Sequence, residues 1–222
     1  MIDDNQSAKL GDELRWLQAE LGRARDLDVL LGRAPSARVR ESIRIARNEA
    51  YVAVDAALAS DRVRTLLIGL AEWILNGDWL RQLAAEDVRK QPARQFAADA
   101  LDRFRRKVKK GGRHIEELDD AARHEVRKAA KKLRYSAEFF AALYPTKQKV
   151  KQHKRFVAAL NDLQDQLGAL NDLVTARELL DQLGLKNDPE TEPLVATCQE
   201  PKLLEAAADA CDDMVDAKRF WL

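Results

Sequence analysis

The stretch Leu14–Leu27, LRWLQAELGRARDL, returns at Leu160–Leu173 as LNDLQDQLGALNDL, both following L-x2-L-Q-x2-L-G-x2-[Arg/Asn]-D-L at an offset of 146 residues. Leucines three and four residues apart line one side of a helix. That spacing alone recurs in any helical protein, but Gln, Gly and Asp falling in the same register point to an internal duplication. The fold is expected to be all-α and built from two related halves. The helix that begins at His124 precedes the second copy, and its counterpart would fall before residue 1. The first half is therefore expected to lack its N-terminal basic helix.

Outward from these stretches, turn and capping signals divide the chain. Ser7 caps a first helix toward Leu31, with Gly22 as a break, and Pro35 ends it. A helix from Ser36 to Ala59 follows, then one capped by Ser60-Asp61 that carries Val63, Leu66, Leu67, Leu70 and Trp73 before Asn76-Gly77-Asp78. Residues 80–90 add a helical turn or two, and Pro92 opens a helix to Lys110 that Gly111-Gly112 stops. Beyond the acidic linker Glu116–Asp120, a helix from about Asp119 to Leu143 closes at Tyr144-Pro145. Thr146 caps the next, which ends at Gly168; another runs from Asn171 to Leu183, residues 187–201 form a proline-bearing loop, and the last helix starts at Lys202. No segment alternates as a strand would.

Composition agrees with this layout. The 222 residues are 46% hydrophobic and 34% charged, which rules out a disordered polyelectrolyte, and 9 Gly, 6 Pro and 6% aromatics favour helix over sheet. There is no apolar run of about 18 residues, and the N-terminus MIDDNQSAKLGDEL is acidic and polar, so a cytoplasmic chain without a membrane span is expected. Cys198 and Cys211 have neither a CxxC pattern nor a flanking His and read as buried or indifferent thiols, not as a disulfide or zinc site. The net charge of +1 hides a division: Arg103–Arg134 holds 13 Lys and Arg against 5 Asp and Glu, while Asp181–Leu222 holds 10 acids against 4 bases.

The basic segment is organised. At about 100° per residue, His124, Arg127, Lys128, Lys131 and Tyr135 share a sector, with Arg134 at its edge. Val126, Ala129, Ala130, Leu133, Ala137 and Phe140 take the opposite side. Clustered cations repel, which costs folding energy unless solvent, acidic neighbours or an anion compensates. Acidic partners at i+4 are nearly lacking, Glu138 being the main one, and a second basic run from Arg103 to Arg113 can fold back alongside through Gly111-Gly112 to make a cationic groove. A solvated basic face is the competing account.

Enzymatic signals are weak. His124-Glu125 does not open an HExxH motif, and no phosphate loop, nucleophile elbow or Cys-His pattern occurs. A three-histidine site would need His114, His124 and His153 from three segments, and Asp26, Asp28 and Asp172 read as capping or pairing acids, not magnesium ligands. No catalysis, cofactor or metal is expected. Binders of single-stranded nucleic acid bring aromatics on which bases stack, and here only Phe104 and Tyr135 lie in the basic segments. A polyanion without bases needs no such platform, and Arg and Lys hold phosphate oxygens through charge-assisted bonds. An RNA-binding or ribosome-associated helical protein is the alternative.

HEVRKAAKKLRYSAEFF at 124–140, followed by LNDLQDQLGALND at 160–172, resembles the second repeat of the CHAD family, the conserved histidine α-helical domain. LRWLQAELGRARDLDVLL at 14–31 resembles the matching part of its first repeat, and AKRFW at 217–221 its C-terminus. The resemblance spans nearly the whole chain, and H-x2-RK-x2-KKLRY is its most specific string. The departure is the first repeat's basic helix, which in the family carries an H-x2-R-x3-R stripe. The resemblance implies one CHAD-like domain over 1–222, all-α, with two helical bundles related by a pseudo-twofold. The first repeat, shortened, would be 1–112 and the second 113–222.

It also implies a basic groove between the repeats that binds inorganic polyphosphate or another polyanion. Domains of this kind accompany a CYTH-type triphosphatase or occur near polyphosphate granules. Carried over by position, the site holds His124, Arg127, Lys128, Lys131, Lys132, Arg134 and Tyr135 of the signature helix. Arg25 stands in the first repeat's Arg-Asp pair and Asn171 at its counterpart. Arg44, Arg47, Arg106, Lys110 and Arg113 join from neighbouring basic helices. A bound phosphate would draw His124 toward its protonated form.

Overall fold

The computed structural model describes residues 5–80, 86, 90–195 and 200–222. Its helices are α1 (Asn5–Gly32), α2 (Ala37–Ala59), α3 (Asp61–Asn76), α4 (Ala93–Gly111), α5 (Asp120–Phe139), α6 (Lys147–Gln182) and α7 (Glu200–Asp216), with short helical turns between them. No strand occurs among the described residues. The chain divides into two compact units, one of Met1–Lys90 with Thr175–Val195 and the other of Gln91–Val174 with Ala196–Leu222. Both are discontinuous in sequence because α6 gives its first part to the second unit and its last part to the first.

In the first unit, serines set the helix ends. Ser36 Oγ accepts the Val39 N–H at 3.2 Å and donates to Glu190 at 2.7 Å, capping α2 while tying it to the segment after α6. Ser60 accepts the Val63 N–H at 3.3 Å, so one residue ends α2 and starts α3. Caps of this kind contribute about 1 kcal/mol each. Leu27 and Leu30 of α1 are buried with Val39 and Ile43 of α2 and with Leu180 and Leu194. Each large aliphatic side chain so placed contributes roughly 1.5–3 kcal/mol.

In the second unit, α4 begins after Pro92 and stops at Gly111, with Gly112 at its cap. A Cβ on Gly112 would lie 2.4 Å from Cys211 Sγ of α7, so only glycine fits the stop. Asp119 Oδ1 accepts the Ala122 N–H at 2.7 Å and caps α5. Leu101, Leu133, Phe156, Leu160 and Leu163 fill the core, closed by the C-terminal Phe220 and Trp221. Trp221 donates its indole N–H to Asp102 at 3.0 Å, and the Phe220 ring meets Tyr144 and His153 edge-on.

Several expected boundaries shift. α1 starts at Asn5, so Ser7 lies inside it and does not cap it, and the loop expected over 187–201 contains a 3-10 turn at Pro189–Thr191 and a helical turn at Glu192–Val195, with the last helix beginning at Glu200, ahead of Lys202. α1 passes through Gly22 and α6 through Gly168 without a break. An interior glycine costs about 1 kcal/mol relative to alanine, a penalty outweighed by buried Leu167 and Leu170 around Gly168 and by buried Leu27 and Leu30 beyond Gly22. α5 ends at Phe139, and the residues expected to continue it form a 3-10 turn at Ala141–Leu143 ahead of Pro145, a common way for a helix end to tighten. The turn expected over 80–90 falls mostly outside the described residues, as does Cys198. Cys211 is a buried thiol whose ionisation burial pushes up. No helix among the described residues is long and apolar enough to cross a membrane.

Candidate anion-binding site

The site of the second unit begins with the two-sidedness of α5. Val126, Ala130, Leu133 and Ala137 are buried, which fixes the rotation of the helix and turns His124, Lys128, Lys131 and Tyr135 outward. His124 Nδ1 lies 2.9 Å from Asn171 Oδ1 on α6. The tautomer that satisfies this contact carries its hydrogen on Nδ1, which donates to the Asn171 oxygen. Half-buried Arg127 lies along α6 at Gly168, where an added Cβ would stand 3.8 Å from its Nε. The residue expected to interrupt a helix instead leaves bare backbone beside a guanidinium.

His124, Arg127 and Asn171 thus meet where α5 and α6 face each other, with Lys131 one turn further along α5. Arg127 and Lys131 have no ion pair among the described residues, nor does Lys132. Arg134 is turned to local use: it pairs with Glu138 at 3.3 Å, and its guanidinium sits 4.7 Å from the Tyr135 ring centroid. Lys131 approaches the same ring at 5.8 Å. The Phe104 ring likewise carries Arg103 at 5.3 Å. Both aromatics of the basic segments therefore have cations at their rings.

The remaining predicted residues of this unit divide. Lys110, Arg113, Lys128 and Lys132 line a groove between α4 and α5, on another side of α5 from Arg127. Lys128 bonds Glu125 at 2.6 Å, and that bond, with the charges of Lys128, His124 and Lys132, holds the Glu125 carboxyl below its usual range. Arg106 is exposed on α4 and does not line the groove. Lys107 lines it without having been among the predicted binding residues. Its place three residues before Lys110 on one helix was the available signal. Arg105 points inward, where it bonds the Val215 carbonyl at the end of α7.

In the first unit, Arg25 is exposed on α1 without an ion pair among the described residues. Arg44 and Arg47, by contrast, are not free cations. Arg44 grips Glu41 through two bonds of 2.8 and 2.6 Å. Arg47 bonds Asp28 and lies 4.5 Å over the Tyr51 ring, and the Tyr51 hydroxyl donates to the same carboxylate at 2.7 Å. Hydrogen bonds from Arg47 and Tyr51 hold Asp28 below the usual carboxylate range. This clasp joins α1 to α2.

Among the described residues, no group of three or more His, Cys, Asp and Glu is placed to hold a metal ion. His153 is committed to the core, with Nε2 3.2 Å from the Ala137 carbonyl. The model of the CHAD domain family matches residues 1–181. Among solved structures, the crystal structure of the CHAD domain from the plant Ricinus communis is similar at 29% sequence identity and a TM-score of 0.69, covering 95% of this chain and 73% of that one. Comparison with curated proteins finds no match.

Proposed function

The chain belongs to the CHAD domain family, and from that premise we propose that it binds inorganic polyphosphate through the cationic face of α5, without catalysis of its own. The observation that carries the proposal is that Arg127 and Lys131 have no ion pair among the described residues and lie beside an imidazole oriented by Asn171. Along α5, the steps from His124 to Arg127 and from Arg127 to Lys131 rise about 4.5 and 6 Å. A flexible polyanion can follow such a row, each phosphate replacing counterions with charge-assisted bonds. Lys128 and Lys132, on the same helix, add to the field that attracts it.

One feature favours a polyanion without bases over RNA. The Tyr135 ring carries Arg134 and Lys131 and the Phe104 ring carries Arg103, so a stacking base would compete with these cations for the rings. Residence in the cytoplasm near polyphosphate granules, and association with a CYTH-type triphosphatase, belong to the same proposal. The test is a titration with labelled polyphosphate, using an RNA oligonucleotide of equal charge as competitor. Arg127→Ala with Lys131→Ala should weaken binding by about tenfold or more, since two phosphate contacts are lost. An unaffected double variant, or a preference for RNA, would overturn the proposal.

A further inference from the structure

The polyphosphate proposal uses the side of α5 that faces α6 and solvent. It leaves unexplained the opposite side, where α4 and α5 leave a groove of about 630 Å³. Its floor is apolar, formed by Phe104 and Gly111 of α4, Ala122, Val126 and Ala129 of α5, and Leu118 between them. Its lips are cationic: Lys107 and Lys110 on α4, Lys128 and Lys132 on α5, with Arg113 at one end. Glu125 is the one acid lining it, and it takes up Lys128. The other four cations have no ion pair among the described residues. Polyphosphate has nothing to gain from an apolar floor.

The face continues beyond the groove. At about 100° per residue, Phe139 shares the sector of Lys128 and Lys132, and Phe96 shares that of Lys107. Phe139 is 80% exposed and Phe96 41% exposed, and both rings lean on Phe140 at 5.1 and 6.2 Å. One face of the α4–α5 pair thus runs from an apolar depression, between lysine lips, to an exposed aromatic cluster. From Ala122 to Phe139 this is roughly 25 Å.

We propose that this face docks an acidic amphipathic helix of a partner protein. The distribution of charge selects that occupant. A single-headed amphiphile needs cations at one end of an apolar slot, whereas here they line both lips. A helix with an apolar stripe on the floor and Asp or Glu on both flanks matches floor and lips together, and about 17 residues of helix cover the length.

The probe is a labelled, end-capped synthetic helix of 18 residues with Leu at i, i+4 and i+7 spacing flanked by Glu. The control has the same composition with the Leu spacing scrambled. Fluorescence anisotropy should show the helix binding about tenfold or more tighter than the control, whose charge is equal. Phe139→Asp, at a position exposed enough to leave folding intact, should weaken binding by about tenfold, as should Lys107→Glu with Lys132→Glu. Arg127→Ala with Lys131→Ala should change it by less than about twofold, which separates this face from the polyphosphate site. Equal binding of the scrambled peptide, indifference to Phe139→Asp, or loss in the Arg127/Lys131 variant would overturn the proposal. Displacement of the helix by equimolar dodecyl phosphate would assign the groove to a small amphiphile and overturn it too.

Discussion

The two units differ in how they use most of their cations, although Arg25 of the first has no ion pair among the described residues and Lys128 and Arg134 of the second are paired with Glu125 and Glu138. In the first, Arg38, Arg44, Arg47, Arg62 and Arg64 each close on a carboxylate, and several of these bonds join separate elements: Arg38 to Asp188 and Glu190, Arg47 to Asp28, Arg62 to Glu13. In the second, Lys107, Lys110, Arg127, Lys131 and Lys132 have no such partner among the described residues. A cation neutralised within its own fold adds little to the field felt by a ligand. One left without a carboxylate raises the local potential and gains when an anion arrives. The difference explains why local charge, and not the net +1, indicates what the chain can bind.

The comparison can be broken most severely through the core that holds α5 in place. Phe220→Ala removes a fully buried ring that contacts Tyr144, His153 and Phe156, and should cost about 3–5 kcal/mol. Chemical denaturation would measure that loss, and polyphosphate binding should fall with the folded fraction. A smaller effect, on function alone, is expected from Arg127→Ala with Lys131→Ala: affinity down by about tenfold or more, with the thermal midpoint unchanged or slightly raised as like-charge repulsion is relieved. A lowered midpoint would show that these cations stabilise the fold after all.

The first unit should answer to acid instead. Asp28 is held below its usual range by Arg47 and Tyr51, so its contribution to stability is present above the unfolded carboxylate value and is lost as pH falls through the lower folded value. Asp28→Asn should therefore flatten the acid side of the stability profile, measured as thermal midpoint against pH. An unchanged profile would remove the clasp from the account. The smallest effect is expected at Arg44, whose charge Glu41 already takes up. Arg44→Ala should change polyphosphate affinity by less than about twofold, and a loss matching that of Arg127 would erase the distinction between the units.

How much of this was legible beforehand depended on the range of the interaction. Ser36, Ser60, Pro92, Asp119 and the Gly111-Gly112 stop act within a turn of themselves, and each marks the boundary that local chemistry implies. Gly22 and Gly168 do not interrupt their helices, because helix propensity is local, while the continuity of α1 and α6 is decided by leucines buried against other elements. The basic side of α5 follows from a 3.6-residue period, and so does its separation from the core stripe. The status of each cation does not. Arg47 looks as free as Arg127 until Asp28, 19 residues away, is brought against it, and Arg105 looks exposed until the Val215 carbonyl is brought within reach. Pairing between helices is a product of tertiary packing, so the list of cationic residues was readable and their division into spent and available ones was not.

The central claim is that unpaired cations on α5 bind a polyanion, and the dependence of polyphosphate affinity on salt tests it most directly. A log–log plot between about 50 and 200 mM salt should fall steeply for the wild type, and its slope should become shallower by roughly one to two units in Arg127→Ala with Lys131→Ala. A flat plot, or one whose slope the double variant leaves unchanged, would contradict the account.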